Sequence, residues 1–232
     1  MSQYHDDAKS RQSLVDTLVA LREKGLNKGT SGNVSARTDG GMLITPTGVS
    51  TERLTAEHIV HMSLEGNVPQ HQLTPSSEWQ MHADIYLGKP GIDAVVHCHS
   101  PYATILACAR KPIPAMHYMV AAAGGQGIPL ADYATFGSKE LSKANLAALQ
   151  STSACLLSNH GQLAVGRDLE SALKLAELVE EQAHCYWGTL AIGGPVVLGE
   201  WQMEEVLTAF KSYGQQEKHT DLTGGKNLTG RD

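Results

Sequence analysis

The run Ala94-Val95-Val96-His97-Cys98-His99 carries an apolar strand into a His-x-His pair. Residues i and i+2 of a strand point to the same face, so both imidazoles reach one ion while Cys98 turns away. Neutral imidazole suits a divalent cation such as Zn²⁺, and a catalytic site takes about three or four protein ligands with a position left for substrate. Two further donors stand in suggestive places. Glu78 opens a helical segment in Pro75-Ser76-Ser77-Glu78, and His160 ends the apolar run Leu156-Leu157-Ser158-Asn159-His160. Each has a plainer reading, His160 as a turn residue and Glu78 as a first-turn carboxylate complementing the helix dipole. The set of four favours a metal centre, because sites in α/β sheets lie beyond strand ends.

Three small-residue segments add a second kind of chemistry. Gly29-Thr30-Ser31-Gly32-Asn33 is no Walker motif, since no Gly-Lys-Ser/Thr follows, yet it presents hydroxyls, an amide and backbone N–H groups. Thr47-Gly48 and Ser76-Ser77 offer the same groups, and helix N-termini bind phosphate readily. Each alone reads as an ordinary turn or cap. Beside a metal they suggest one oxyanion pocket.

These groups need elements to hold them. Hydrophobic periodicity predicts helices over about 7–24, 76–87, 101–110, 138–150, 168–192 and 203–213. Strands are expected at 41–45, 92–97, 154–158 and 162–165, with strand-like sequence after Asn33 and an extended stretch at His117–Val120. Strands interleave with helices without a composition break or repeat, so a single layered α/β domain with helices on both faces of one sheet is expected. The close pair around Gly161 is antiparallel in this reading, which rules out a purely parallel sheet. The segment from Gln215 to Asp232 is polar and Gly-rich and is expected to be a flexible tail.

Composition narrows the function classes. With 232 residues, 41% hydrophobic and 18% charged, the chain builds one substantial core. A net charge of -6 argues against nucleic acid or an anionic membrane as partner. No apolar stretch approaches the ~20 residues of a membrane span, and the acidic start Met1–Asp7 is unlike a secretory signal. Cys98, Cys108, Cys155 and Cys185 are widely spaced, without CxxC, and read as structural thiols of a cytoplasmic enzyme.

The joint set of motifs resembles the class II aldolase/adducin family. The matching segments are Gly29–Ser35, Met42–Gly48, Ser76–Glu78, His97-x-His99, His117–Met119 with Ala121–Gly125, Tyr133–Gly137, Asn159–Gly161 and Phe210–Gly214, spanning about residues 10–214. The resemblance implies a single three-layer α/β/α domain over 1–214 around a mostly antiparallel sheet, assembled as a four-fold homotetramer with sites at subunit interfaces. It implies zinc (Mn²⁺ or Co²⁺ suit the same donors) on His97, His99 and His160, with Glu78 a fourth ligand that leaves when substrate arrives. Phosphate would sit among Thr30, Asn33, Thr47, Gly48, Ser76 and Ser77. The implied reaction is reversible cleavage of a 2-ketose 1-phosphate to dihydroxyacetone phosphate and a small aldehyde. Glu78 would shuttle the proton on the enediolate carbon. Tyr118 from a neighbouring subunit would serve the aldehyde oxygen, and Tyr213 would close over the site. Epimerases of the family look to carry Asp at positions 78 and 118, which this chain does not. Decarboxylases and a dehydratase share the His-x-His frame, and adducin-like members are non-catalytic interaction modules with a degraded ligand set.

Overall fold

The computed structural model describes residues 3–210. The expected tail from 215 onward and Tyr213 lie outside the described residues. Seven strands form one sheet in the order β3-β2-β1-β4-β7-β6-β5, comprising β1 (Asn33–Thr38), β2 (Gly41–Ile44), β3 (Val60–Met62), β4 (Ala94–Cys98), β5 (Leu130–Ala131), β6 (Ala154–Leu157) and β7 (Gly161–Gly166). Every neighbouring pair is antiparallel except β5 with β6. The protein is thus an α/β domain around a mostly antiparallel sheet.

Strand alternation divides the interior into two layers. On one face Val34, Ala36, Val96 and Cys98 pack with α1 (Ala8–Glu23), α3 (Pro101–Cys108) and α5 (Leu169–Ala191). On the other, Val95, Cys155 and Leu163 pack with α2 (Trp79–Gly88) and α4 (Lys139–Ala148). Because side chains alternate with period two, Asn33 and Ser35 of β1 and Val95 and His97 of β4 all turn towards α2. That single parity choice brings the polar groups of two strands under one helix. The final helix α6 (Glu200–Phe210) seats Met203 in the larger layer.

Several expectations are corrected. The first turn of α2 starts at Trp79 rather than 76 or 77, with Glu78 at the cap position making no side-chain cap. His117–Val120 is not extended: Tyr118–Ala123 is a 3-10 helix, started by His117, whose Nδ1 accepts the Met119 N–H at 3.2 Å. The last helix begins at Glu200, three residues early, where Gln202 Oε1 accepts the Gly199 N–H. Cys98 and Cys155 are buried, and burial pushes both thiols up to about 12. Cys108 and Cys185, by contrast, are exposed and free, so only two of the four thiols are core residues.

Candidate active site

His97 and His99 leave the end of β4 on the same face, as their spacing requires. Their Nε2 atoms lie 3.1 Å apart. His160 comes from the turn between β6 and β7, so its ring arrives from two strands away. That turn has two local requirements. Asn159 stands at φ +56°, a left-handed conformation asparagine tolerates better than most residues. A Cβ on Gly161 would lie 2.6 Å from the Cys98 carbonyl and 3.0 Å from the His99 ring, so only glycine lets the turn approach β4.

The three rings stand nearly edge-on to one another, with centroids 4.8–4.9 Å apart and interplanar angles of 71–75°. Their ligating atoms fall within 4.8 Å of each other. Glu78 completes the group, with Oε2 3.4 Å from His97 Nε2 and Oε1 3.4 Å from His160 Nε2. His97 Nδ1 donates to the Gln162 carbonyl at 2.8 Å, which leaves the Nε2 lone pair facing the cluster. Burial holds His97 well below its ordinary pKa, and His99 is lowered for the same reason, so neutral rings are favoured.

This donor set fits a divalent cation. A tetrahedral ion with ligand distances of about 2.0–2.1 Å has ligand–ligand edges of about 3.3 Å. Three of the donor pairs here lie 3.1 to 3.4 Å apart, and the three histidine nitrogens lie within 4.8 Å of one another. With its Nδ1 proton committed to the Gln162 carbonyl, His97 presents a lone pair to the cluster, and a positive charge there would satisfy it. Glu78 Oε1, buried and without a hydrogen-bond donor, needs one as well.

Glu78, His99 and His160 of this donor set line the floor of a cavity of about 470 Å³, with His97 buried behind them. Thr30, Asn33, Thr47, Gly48, Ser76 and Ser77 all line it, so the three segments singled out in the sequence converge on one pocket. Asn33 also has a second engagement. Its side-chain amide is engaged below the floor, donating to Glu78 Oε2 at 2.9 Å and accepting from His82. The lining also includes Tyr133 and Phe136, both exposed. Tyr118 is not at this cavity within the chain. It stacks on His117 and lines a second hollow with Leu198 and Trp201.

Sequence reasoning missed two groups. Asn27 Oδ1 accepts the His99 N–H at 3.1 Å and fixes the backbone at the end of β4. His82, fully buried, lies between Asn33 and Ser35 of the same sheet face, and burial pushes its pKa down to about 3. The signal for His82 was present as the spacing Glu78, His82, Tyr86, which stacks three polar groups on one helical stripe.

Comparison with known proteins matches this site to a family. The model of the class II aldolase and adducin N-terminal domain matches residues 12–187. A 5-methylthioribulose-1-phosphate/5-deoxyribulose-1-phosphate aldolase from Rhodospirillum rubrum is 48% identical over 204 residues, 88% of this chain and 92% of the relative. The L-fuculose phosphate aldolase of Escherichia coli K12 is 47% identical over 207 residues, 89% of this chain and 96% of that one. Among solved structures, an L-fuculose 1-phosphate aldolase superposes with a TM-score of 0.85 at 40% identity, covering 88% of this chain and 97% of that chain. With the metal-fitting donors and the fold in agreement, the chain belongs to the class II aldolase and adducin family.

Proposed function

We propose that the protein reversibly cleaves a 2-ketose 1-phosphate between C3 and C4, giving dihydroxyacetone phosphate and a small aldehyde. The observation that carries this reading is the Glu78 carboxylate. It stands among three histidine nitrogens with one oxygen unpartnered, at the floor of a pocket walled by hydroxyl loops. His97, His99 and His160, with Glu78, would hold a divalent cation, zinc in our reading, with Mn²⁺ or Co²⁺ compatible with the same donors. When bound, it would supply the Lewis acidity that stabilises negative charge on the substrate's ketone oxygen, so no Schiff-base lysine is needed.

The residues do the rest. Thr30, Thr47, Gly48, Ser76 and Ser77 bind the phosphate and fix the ketone end over the floor, with Asn33 holding Glu78 from beneath. Glu78 takes up and returns the proton on C3 of dihydroxyacetone phosphate, the carbon that carries the enediolate charge. The C4 hydroxyl must lose its proton as it becomes an aldehyde. Tyr118, which lies away from its own chain's pocket, serves that oxygen in a neighbouring subunit of a homotetramer. Tyr213 shields the site in the same reading. Exposed Ile192, Val196 and Trp201 around the end of α5 and the start of α6 are consistent with an assembled surface.

The wall of Tyr133 and Phe136 favours a small aldehyde with an apolar end. L-Lactaldehyde from L-fuculose 1-phosphate, and the aldehydes from 5-deoxyribulose or methylthioribulose 1-phosphate, all meet that description. An adducin-like binding-only role does not account for a full donor set. No helix among the described residues is long and apolar enough to cross a membrane, and we place the enzyme in the cytoplasm. The test is release of dihydroxyacetone phosphate from a panel of these ketose 1-phosphates, with and without chelator. Chelator-sensitive release supports the reading. No release from the metal-loaded protein refutes it and favours a decarboxylase, dehydratase or 4-epimerase.

A further inference from the structure

Beneath the pocket floor, two strand residues interlock with the cap residue of α2 and two residues within that helix. Asn33 and Ser35 are two apart on β1, and Glu78, His82 and Tyr86 follow at intervals of four from the cap into α2. The contacts run in sequence. Tyr86 Oη lies 2.7 Å from Ser35 Oγ, and Ser35 Oγ lies 2.7 Å from His82 Nδ1. His82 Nε2 lies 2.5 Å from Asn33 Oδ1, and Asn33 Nδ2 lies 2.9 Å from Glu78 Oε2.

Donor and acceptor roles follow from one end. A flipped Asn33 amide would set its oxygen against the Glu78 carboxylate, so Nδ2 faces Glu78 and Oδ1 faces His82. An amide oxygen only accepts, so His82 Nε2 carries the proton. The ring is completely buried and neutral, so its Nδ1 accepts, and Ser35 O–H is the donor. The serine's single proton is then committed, and Tyr86 O–H donates to Ser35 Oγ. All four hydrogen bonds point towards Glu78, the arrangement in which successive bonds polarise one another.

We propose that Tyr86, Ser35 and His82 form a one-way hydrogen-bond relay that fixes the Asn33 amide and thereby aims Glu78, making His82 a positioning residue for proton transfer. The relay grips Oε2 alone. Oε1 stays bare, buried and 3.4 Å from His160 Nε2. The two carboxylate oxygens thus have different tasks: one is held by the protein scaffold, and the other exchanges its partner. This inference rests on the reading of Glu78 as the proton shuttle.

The test uses the full-length, metal-loaded protein and solvent deuterium exchange into dihydroxyacetone phosphate. His82→Leu and Ser35→Ala should each lower the exchange kcat by about 10- to 100-fold, because sub-ångström misplacement of a catalytic group costs that much. The KM for dihydroxyacetone phosphate should stay within about 3-fold and the metal content should hold, since the phosphate loops and histidines are untouched. His82→Gln should recover most of the lost rate, as its amide N–H reaches towards Asn33 Oδ1. Crystal structures give a readout independent of activity: Glu78 should leave its position between His97 and His160 in His82→Leu and keep it in His82→Gln. An unmoved Glu78 in His82→Leu, a glutamine variant no better than leucine, or equal damage to kcat and KM would each overturn the relay. Absence of exchange in the wild type, with Glu78 displaced as described, would defeat the proton-shuttle reading and leave the relay standing.

Discussion

Glu78 and His160 face each other across 3.4 Å through an oxygen that accepts no hydrogen bond among the described residues. The carboxylate therefore belongs to two systems, gripped from below by Asn33 and open above to whatever charge occupies the cluster. Replacing it by its amide separates these tasks. Glu78→Gln should retain most of the bound metal while turnover falls by about 10²- to 10⁴-fold, the usual range for losing a general base. Metal analysis beside steady-state release of dihydroxyacetone phosphate checks both halves.

His97 is the deepest of the proposed ligands, completely buried and tied to the Gln162 carbonyl. His97→Ala should lose both metal and turnover. Chelation of the wild type should lower its melting temperature, since a ligand at 100 times its Kd stabilises the native state by about 2.7 kcal/mol. Calorimetry should show that shift reversed by added zinc, and absent in His97→Ala.

Tyr118 should matter to a pocket other than its own. Tyr118→Phe should slow carbon–carbon cleavage more than proton exchange on dihydroxyacetone phosphate. Co-expressed Tyr118→Phe and Glu78→Gln chains should recover up to about a quarter of wild-type activity, the share of interfaces pairing one intact Glu78 with one intact Tyr118. Recovery no greater than that of the separate variants would place Tyr118 outside a shared site.

Acid stability should carry the mark of His82. Its pKa is near 3 in the folded protein, against an ordinary 6.5. Above about pH 6.5 both folded and unfolded rings are neutral, and nothing is lost. Below it the unfolded chain takes up a proton that the folded ring refuses, so stability falls as pH drops towards 3. Each such ring contributes a slope of about 1.4 kcal/mol per pH unit. Denaturant titration of metal-free protein between about pH 6 and 5 should show His82→Gln with a slope shallower by that amount.

Gly161 is a packing requirement of the metal cluster. A methyl group there would press on the Cys98 carbonyl and the His99 ring. Gly161→Ala should cost about 1–3 kcal/mol of stability. It should also weaken metal affinity, because His99 and His160 flank the clash. Isothermal titration with zinc, set beside thermal unfolding, measures the two effects separately.

The clustering of His97 and His99 was legible because strand periodicity is short-range: they share a face by count alone. His160 was readable from an apolar run ending in a turn. The contribution of Asn27 was not, since its bond to the His99 N–H joins residues 72 positions apart through a loop without periodicity. Asn33 was seen as a pocket residue, but its engagement with Glu78 depends on which face of β1 meets α2, and that is decided by sheet order. The 3-10 helix at Tyr118–Ala123 was misread as extended because a short apolar run fits either form, and a histidine side chain closing the first turn decided it.

The strand order has a consequence for how the protein reaches its native state. His97 lies on β4 and His99 just beyond its end, with β1 about sixty residues before and β7 about sixty-five residues after, while Glu78 precedes α2. Glu78 lies 19 residues before His97, but His160 lies 61 residues beyond His99, so the full donor set needs long-range strand pairing. The complete donor set therefore forms only once β7 has paired with β4. Tight uptake of a divalent cation by a refolding chain would then be a clock for that closure.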